Sequence, residues 1–356
     1  MPDRVAQVRG RLGELEIDAL LVTQAENRRY LSGFTGSAGV LLISLDRSIL
    51  ATDSRYWEQA EQQAPTFEMV QIKTRLEDHL AEALGKAGSP KRVGFESAFV
   101  SVDQLSTWSN MNGDVEWIAT KNAVEPIRAV KDESELAAIR KAAAVTDAGF
   151  DFLCDILKPG MTEREAAWEL EAFLRTHGAE ALAFDPIVAS GPHSAMAHHH
   201  PGDRAIQAGE PIVIDFGAKV DGYCADLTRT VSLGRADDKY DEVYETVRRA
   251  QQVALDGIRA GMPGVQADAL AREAIVAAGY GDFFGHGLGH GVGLAVHEAP
   301  RAGRVDAEAP LPVGATLTVE PGVYLPGWGG VRIEDLVVVR ENGVEALSRA
   351  HKRSII

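Results

Sequence analysis

The sequence predicts an α/β (α+β) protein of two domains. A small α/β domain covers residues 1–125, and a larger domain with an internal pseudo-twofold covers residues 126–356. Three observations carry this expectation. A chain of 356 residues exceeds what one hydrophobic core ordinarily organises. Its first third alternates short apolar runs with helical periodicity. Two later segments resemble each other at a constant spacing.

In the first domain Val5, Val8, Leu12 and Leu15 recur at helical spacing, so an amphipathic helix is expected, leading into a strand. "ALLVT", "VLLIS", "SILAT", "MVQI" and "RVGFE" read as strands, and segments near 54–64, 76–87 and 101–110 as helices. The domain closes near "WIATKNAVEPIRAVKD", where Pro126 and a charged run precede a long helix from about Asp132. The repeat follows. "KPGMTEREAAWELEAFLRTHGAE" and "RAGMPGVQADALAREAIVAAGYG" each come after a long amphipathic helix, near 133–157 and 238–258. Met161 matches Met262 and Gly178 matches Gly279 at the same offset of 101 residues. Thr162 and Glu165 form a capping-box pattern in the first copy. A site between two such halves would draw ligands from both.

Composition narrows the partners. The chain is 45% hydrophobic and 25% charged, as in a soluble globular protein, and has no apolar run long enough to span a membrane. Its N-terminus lacks the continuous apolar core of a signal peptide. Two cysteines, Cys154 and Cys224, imply no disulfide framework, so a reducing, cytoplasmic setting is expected. A net charge of −16 argues against a nucleic-acid partner and fits a chain that commits carboxylates to cations.

"PIVIDFGAKVDGYCADLTRTVSL" reads as a hairpin. With its turn centred between Val220 and Asp221, Asp215 lies directly across from Asp226. Facing like charges among Ile and Val are costly. Either one carboxylate is neutral or a cation lies between them. Thr228 falls on the same face and is expected to hydrogen-bond a ligand carboxylate; Cys224 shares that face as a small buried filler. "ATLTVEPGVYLP" puts Glu320 at the end of an apolar strand, and "GGVRIEDLVVV" puts Glu334 inside another with Arg332 two residues earlier. The run "GHGLGHGVGLAVHEAP" is too rich in glycine for a stable helix, and lacks the His-Glu-x-x-His zinc spacing. It can bring a histidine close to a crowded centre, and His290 is the candidate. Four carboxylates would be balanced by two divalent cations, and an oxygen-rich set with one imidazole suits Mn²⁺ or Co²⁺.

At these residues the sequence resembles the pita-bread metallopeptidases, in the Xaa-Pro aminopeptidase and prolidase branch. The carriers are "IVIDFGAKVDGYCADLTRT", "GHGLGHGVGLAVHE", "TVEPGVY" and "GGVRIED", in family order. "YLSGFTGSAGVLLIS" and "ATDSRYWEQAE" likewise resemble the creatinase-like N-terminal domain of bacterial Xaa-Pro aminopeptidases. The resemblance implies that Asp215, Asp226, His290, Glu320 and Glu334 bind two divalent metals per subunit. Mn²⁺ is expected first, with Co²⁺ or Zn²⁺ as alternatives, and Asp226 and Glu334 would bridge. It implies that His198, His286 and His297 line the site. Glu320 would move the proton, His297 would stabilise the oxyanion, His198 would position substrate or leaving nitrogen, and Arg332 would orient Glu334.

The expected function is hydrolysis of the bond before proline in proline-containing peptides. The alternative is an Xaa-Pro dipeptidase, with Arg301 as holder of the free carboxylate. A remote alternative is a non-catalytic pita-bread binding module, expected to have lost ligands. Methionine aminopeptidase would not require the first domain, and metal-free creatinase would not need all five ligands. By the same resemblance a homodimer is expected, in which Arg55 or Tyr56 contacts substrate, core filling being the alternative for Tyr56. In "SAMAHHHPGDR", His198 aligns with the family histidine, whereas His199 and His200 are extra and read as exposed loop residues.

Overall fold

The computed structural model describes residues 3–305 and 307–356. They form two units, one ending at Arg128 and the other running Ala129–Ile356.

The first unit holds helices α1 (Arg4–Leu12), α2 (Ala25–Ser32), α3 (Trp57–Gln63), α4 (Leu76–Lys86), α5 (Val102–Met111) and α6 (Glu125–Ala129), the last reaching one residue past the division. Its strands are β1 (Ala19–Val22), β2 (Val40–Ser44), β3 (Ser48–Asp53), β4 (Glu68–Ile72), β5 (Arg92–Glu96) and β6 (Glu116–Thr120). They form one mixed sheet in the order β4-β3-β2-β1-β5-β6. Every residue of β1 and β2 is buried, which is why "ALLV" and "VLLIS" carry little alternation. All five strands expected from the sequence are present. Helix α2 escaped the periodicity reading because its buried face carries Asn27 and Arg28 beside Tyr30 and Leu31. Strand β6 escaped it because it is an edge strand with only Thr120 buried.

The second unit is duplicated. Its first half has α7 (Glu133–Ile156) and α8 (Glu163–Thr176), then β7 (Ala181–Leu182), β8 (Ile187–Ser190), β9 (Ile212–Phe216), β10 (Ala218–Val220), β11 (Tyr223–Cys224) and β12 (Leu227–Val231). The second half has α9 (Asp238–Gly257) and α10 (Gly264–Ala277), then β13 (Gly289–Gly291), β14 (Glu298–Ala302), β15 (Thr316–Val319), β16 (Gly322–Leu325), β17 (Gly329–Arg332), β18 (Asp335–Arg340) and β19 (Gly343–Ala346). The helix ends Ile156 and Gly257, Glu163 and Gly264, and Thr176 and Ala277 all keep the 101-residue offset. The capping box of Thr162 with Glu165 starts α8, each side chain accepting from the other's backbone N–H.

Each helix pair buries its apolar stripe on its own sheet. Phe150, Leu153, Leu170 and Leu174 pack with Ile212, Ile214 and Phe216. Val243, Val247, Ala271 and Ile275 pack with Leu317, Val319, Val337 and Val339. Each fully buried side chain of this kind contributes roughly 1.5–3 kcal/mol. The halves meet where β12 faces β17. Thr230 Oγ1 donates to the Arg332 carbonyl at 2.9 Å and accepts its N–H at 3.0 Å, and the Glu334 N–H donates to the Thr228 carbonyl at 3.0 Å.

Two expectations change. The hairpin turn centres between Asp221 and Gly222, whose φ values of 52° and 83° fit a two-residue loop with both central residues left-handed. Val220 therefore pairs with Tyr223, and Asp215 faces Thr228 rather than Asp226. The shift is two residues. Strand side chains repeat every two, so Asp226 stays on the side of Asp215. Glu334 is not inside a strand. It lies in the break between β17, which pairs with β16, and β18, which pairs with β15 and β19. No helix among the described residues is long and apolar enough to cross a membrane.

Candidate metal centre and active site

Five sequence-predicted residues converge from both halves. Asp215 ends the buried run of β9, and Asp226 precedes β12. Glu320 follows β15, Glu334 fills the β17–β18 break, and His290 is the middle of β13. The glycines around His290 answer to crowding: a Cβ on Gly289 would lie 1.9 Å from the Thr318 carbonyl oxygen. Only a side-chain-free backbone brings His290 against β15.

Carboxylate oxygens of Asp215, Asp226 and Glu334 all lie within 4.8 Å of one another. His290 Nε2 is 3.3 Å from Glu320 Oε1 and 3.7 Å from Asp226 Oδ2. Asp226 thus borders both groupings. Asp215 Oδ1 and Glu334 Oε1 are buried with no hydrogen-bond partner. Burial, with the neighbouring charges of Glu334, Asp215 and Glu320, pushes the Asp226 carboxyl well above the usual carboxylate range. Burial, with Glu320 and Asp215, does the same to Glu334. Glu320 is pushed up to about 7, chiefly by burial.

These groups fit divalent cations. Orphaned buried carboxylate oxygens are costly unless something positive meets them. His290 Nδ1 faces the Gly291 carbonyl at 3.2 Å, so it carries the proton and leaves Nε2 as a lone pair aimed at carboxylates. Burial first, then His297, lowers its pKa to about 4, so the ring is neutral. A lone pair beside carboxylate oxygens is repulsive without a cation and ligating with one.

The supporting contacts differ from expectation. Arg332 does not touch Glu334 directly. Its Nη2 donates to Asp215 Oδ2 at 2.6 Å and its Nε to Thr228 Oγ1 at 3.0 Å. Thr228 in turn donates to Glu334 Oε2 at 2.6 Å, so Arg332 reaches Glu334 only through a hydroxyl. The reason is register: with Thr228 opposite Asp215, the hydroxyl occupies the space between.

Tyr324, which the sequence reading passed over within "TVEPGVY", closes the other side. Arg332 Nη1 donates to Tyr324 Oη at 2.7 Å, Tyr324 donates to His286 Nε2 at 2.9 Å, and His286 Nδ1–H donates to the Gly287 carbonyl at 2.8 Å. His286 therefore lines the cavity with both ring nitrogens already engaged. Burial lowers its pKa to about 4 and raises that of Tyr324 to about 12.

The centre opens into a cavity of about 900 Å³ lined by His198, His199, His200, His286, His297 and Arg301, with Phe184, Ile187 and Val305 as apolar wall. His198, His297 and Arg301 are exposed to it. The His297 ring stands 4.1 Å from that of His290. A buried pair, Lys131 Nζ to Glu298 Oε1 at 2.7 Å, anchors the neighbouring residue, a contact spanning 167 positions that no local pattern reveals. Arg55 and Tyr56 belong to the other unit and are not among the cavity's lining residues. Arg55 pairs with Asp53, Nε to Oδ1 and Nη2 to Oδ2 both at 2.8 Å, and Tyr56 shares a 2.6 Å hydrogen bond with Ser37 and an edge contact with Phe34. His199, expected to be an exposed loop residue, is instead largely buried against Glu163, whereas His200 is exposed.

A duplicated helix-on-sheet unit with an acidic centre between its halves is the architecture of one metallopeptidase class, and the family comparison agrees. Residues 137–341 match the model of metallopeptidase family M24, and residues 4–130 match the creatinase/prolidase N-terminal domain. The chain belongs to metallopeptidase family M24, and its N-terminal unit is the creatinase-like domain. Among individual relatives, it is 40% identical to the peptidase YqhT of Bacillus subtilis over 353 residues, 99% of each chain. The structure of an Xaa-Pro dipeptidase from Bacillus anthracis superposes with a TM-score of 0.96 at 40% identity, covering 99% of both chains. That of an X-Pro aminopeptidase from Thermotoga maritima superposes with a TM-score of 0.90 at 40% identity, covering 99% of this chain and 100% of the other.

Proposed function

We propose that this metallopeptidase is an Xaa-Pro aminopeptidase with a dinuclear metal centre, releasing the N-terminal residue that precedes proline in peptides. The observation that carries the reading is the acidic centre: two buried carboxylate oxygens without donors beside a neutral imidazole lone pair. Asp215, Asp226, His290, Glu320 and Glu334 would hold two divalent ions, Mn²⁺ by preference, with Asp226 and Glu334 shared. Such ions supply a Lewis acid and lower the pKa of water toward neutrality.

The chain's own groups do the rest. Glu320, whose carboxyl borders His290 at the edge of the centre, is the group placed to take a proton and return it. Partial desolvation lowers the His297 pKa, which favours the neutral ring, and that ring offers one N–H to an oxyanion. His198, exposed on the same cavity, positions the leaving nitrogen. Arg332 and Thr228 hold Asp215 and Glu334 in place. We take the enzyme to act as a cytoplasmic homodimer, with Arg55 or Tyr56 contacting substrate beyond the proline.

The cavity of about 900 Å³ is at the upper end of small-molecule sites and favours peptides longer than two residues. Arg301 on its wall favours the second reading, an Xaa-Pro dipeptidase that pairs this cation with the substrate carboxylate. Rates on Xaa-Pro against Xaa-Pro-Xaa-Xaa, before and after Arg301→Ala, decide between them. The aminopeptidase reading expects faster cleavage of the tetrapeptide and little effect of the substitution. Cleavage of the dipeptide alone, lost with Arg301, makes the enzyme a dipeptidase.

A further inference from the structure

A second ligand-bearing cluster lies apart from the acidic centre. Among the described residues, ligand atoms of Glu163, His193 and His199 also fall within 4.8 Å of one another. The three come from separate segments: Glu163 is the first residue of α8, His193 lies in the 3₁₀ turn Gly191–Ala195, and His199 follows in the loop beyond. The Glu163 side chain is fully buried, those of His199 and His193 12% and 33% exposed.

We propose that Glu163, His193 and His199 form a further divalent-metal site, of zinc type. Two imidazoles and one carboxylate are a zinc ligand set, and the partly open His193 side leaves room for a fourth ligand from solvent. The spacing fits. Around zinc, with bonds of about 2.0–2.1 Å, tetrahedral ligand atoms lie about 3.3 Å apart. Glu163 Oε2 is 3.1 Å from His193 Nδ1 and 2.8 Å from His199 Nε2. Both carboxylate–imidazole distances sit a little inside that separation, and the ligand atoms of the two histidines lie within 4.8 Å of each other, so a modest adjustment of the rings makes the set coordinating.

The carboxylate is already aimed. Ser190 donates to Oε1 through its N–H at 2.8 Å and its hydroxyl at 2.7 Å, which fixes the carboxylate so that Oε2 meets His199 and His193 Nδ1 lies against both oxygens, 3.0 Å from Oε1 and 3.1 Å from Oε2, with the Gly202 N–H adding a longer 3.3 Å contact to Oε2. The nearby guanidinium of Arg204 would oppose a cation, but Glu210 neutralises it through two 2.6 Å contacts. His199 also lines the catalytic cavity and adjoins His198. An ion here ties down the loop that carries His198.

The test counts zinc in a chain whose acidic centre is disabled. Asp226→Asn with Glu334→Gln, equilibrated with Zn²⁺ and freed of excess, should retain one zinc per chain by elemental analysis. Adding His193→Ala and His199→Ala should remove it, while far-UV circular dichroism stays unchanged and metal-free melting falls only modestly, since both Ser190 donors to Glu163 remain. In the unsubstituted chain, the same two histidine changes should lower zinc content by one per chain. Equal zinc content with and without the two histidines, in either background, overturns the proposal. A chain that cleaves no Xaa-Pro peptide would sink the proposed function and leave this count untouched.

Discussion

Among the carboxylates buried in the catalytic unit, those of the acidic centre and Glu163 have opposite surroundings. At the acidic centre Asp226 and Glu334 face other carboxylates, two oxygens lack donors, and the pKa values are raised. At Glu163, burial alone would raise the pKa. The Ser190 N–H, His199, the Ser190 hydroxyl and the Gly202 N–H outweigh it, and the carboxyl falls below its ordinary range. The first set is starved of positive partners and the second is supplied with them. The difference teaches that burial by itself does not decide how strongly a carboxylate depends on a cation; unmet acceptors do. Ions at the acidic centre complete the structure, whereas an ion at Glu163 exchanges with hydrogen bonds already made.

The sharpest way to break this contrast is to remove the metals. Exhaustive chelation should abolish peptidase activity and added Mn²⁺ or Co²⁺ restore it. Asp226→Asn should lower the content of both ions together, as read by elemental analysis. Full activity in a chelated protein free of metal would refute the starved-centre reading. Next in size, His297→Ala should keep the metals and lose about 10²–10³ in rate, the cost of one oxyanion donor. His290→Ala should instead lose metal. Equal metal loss in the two variants would show that the assignment of ligand and helper is wrong.

Thr228→Val probes the hydroxyl that donates to the Glu334 carboxylate. It should cost about 10–100-fold in metal affinity or activity, as loss of an orienting partner does. An unchanged metal titration would mean that Thr228 only fills space. The smallest effect is thermal. An acid whose folded pKa is raised contributes stability that is fully present below its unfolded pKa and lost as pH climbs through the folded one. Glu320, raised from 4.5 to about 7, places that loss across mildly acidic to neutral pH. The metal-free protein should therefore melt a few degrees lower at about pH 8 than at about pH 5, and Mn²⁺ should flatten the slope. A metal-free melting temperature that rises over this interval would contradict the raised pKa values. Glu163 has the opposite sign: its stabilisation is present above the unfolded pKa and fades as acid protonates it.

Much of this was legible along the chain, because periodicity is local. Five of the six first-unit strands and the long helices follow from apolar spacing within a dozen residues or so, and the 101-residue repeat from Met and Gly positions that match at one offset. All five acidic-centre residues stood out as charged or imidazole groups among apolar or glycine neighbours. Even the misplaced hairpin turn left Asp215 and Asp226 on one side, since a two-residue slip preserves the face. What local pattern cannot encode is which groups meet from far apart. Arg332 reaches Asp215 across 117 positions, and His199 reaches Glu163 across 36. Those contacts depend on how β17 crosses β12 and how the loop after the 3₁₀ turn folds onto α8. Packing of whole elements sets both, and only the tertiary structure decided that Arg332 holds Asp215 and that an extra histidine is buried against a glutamate.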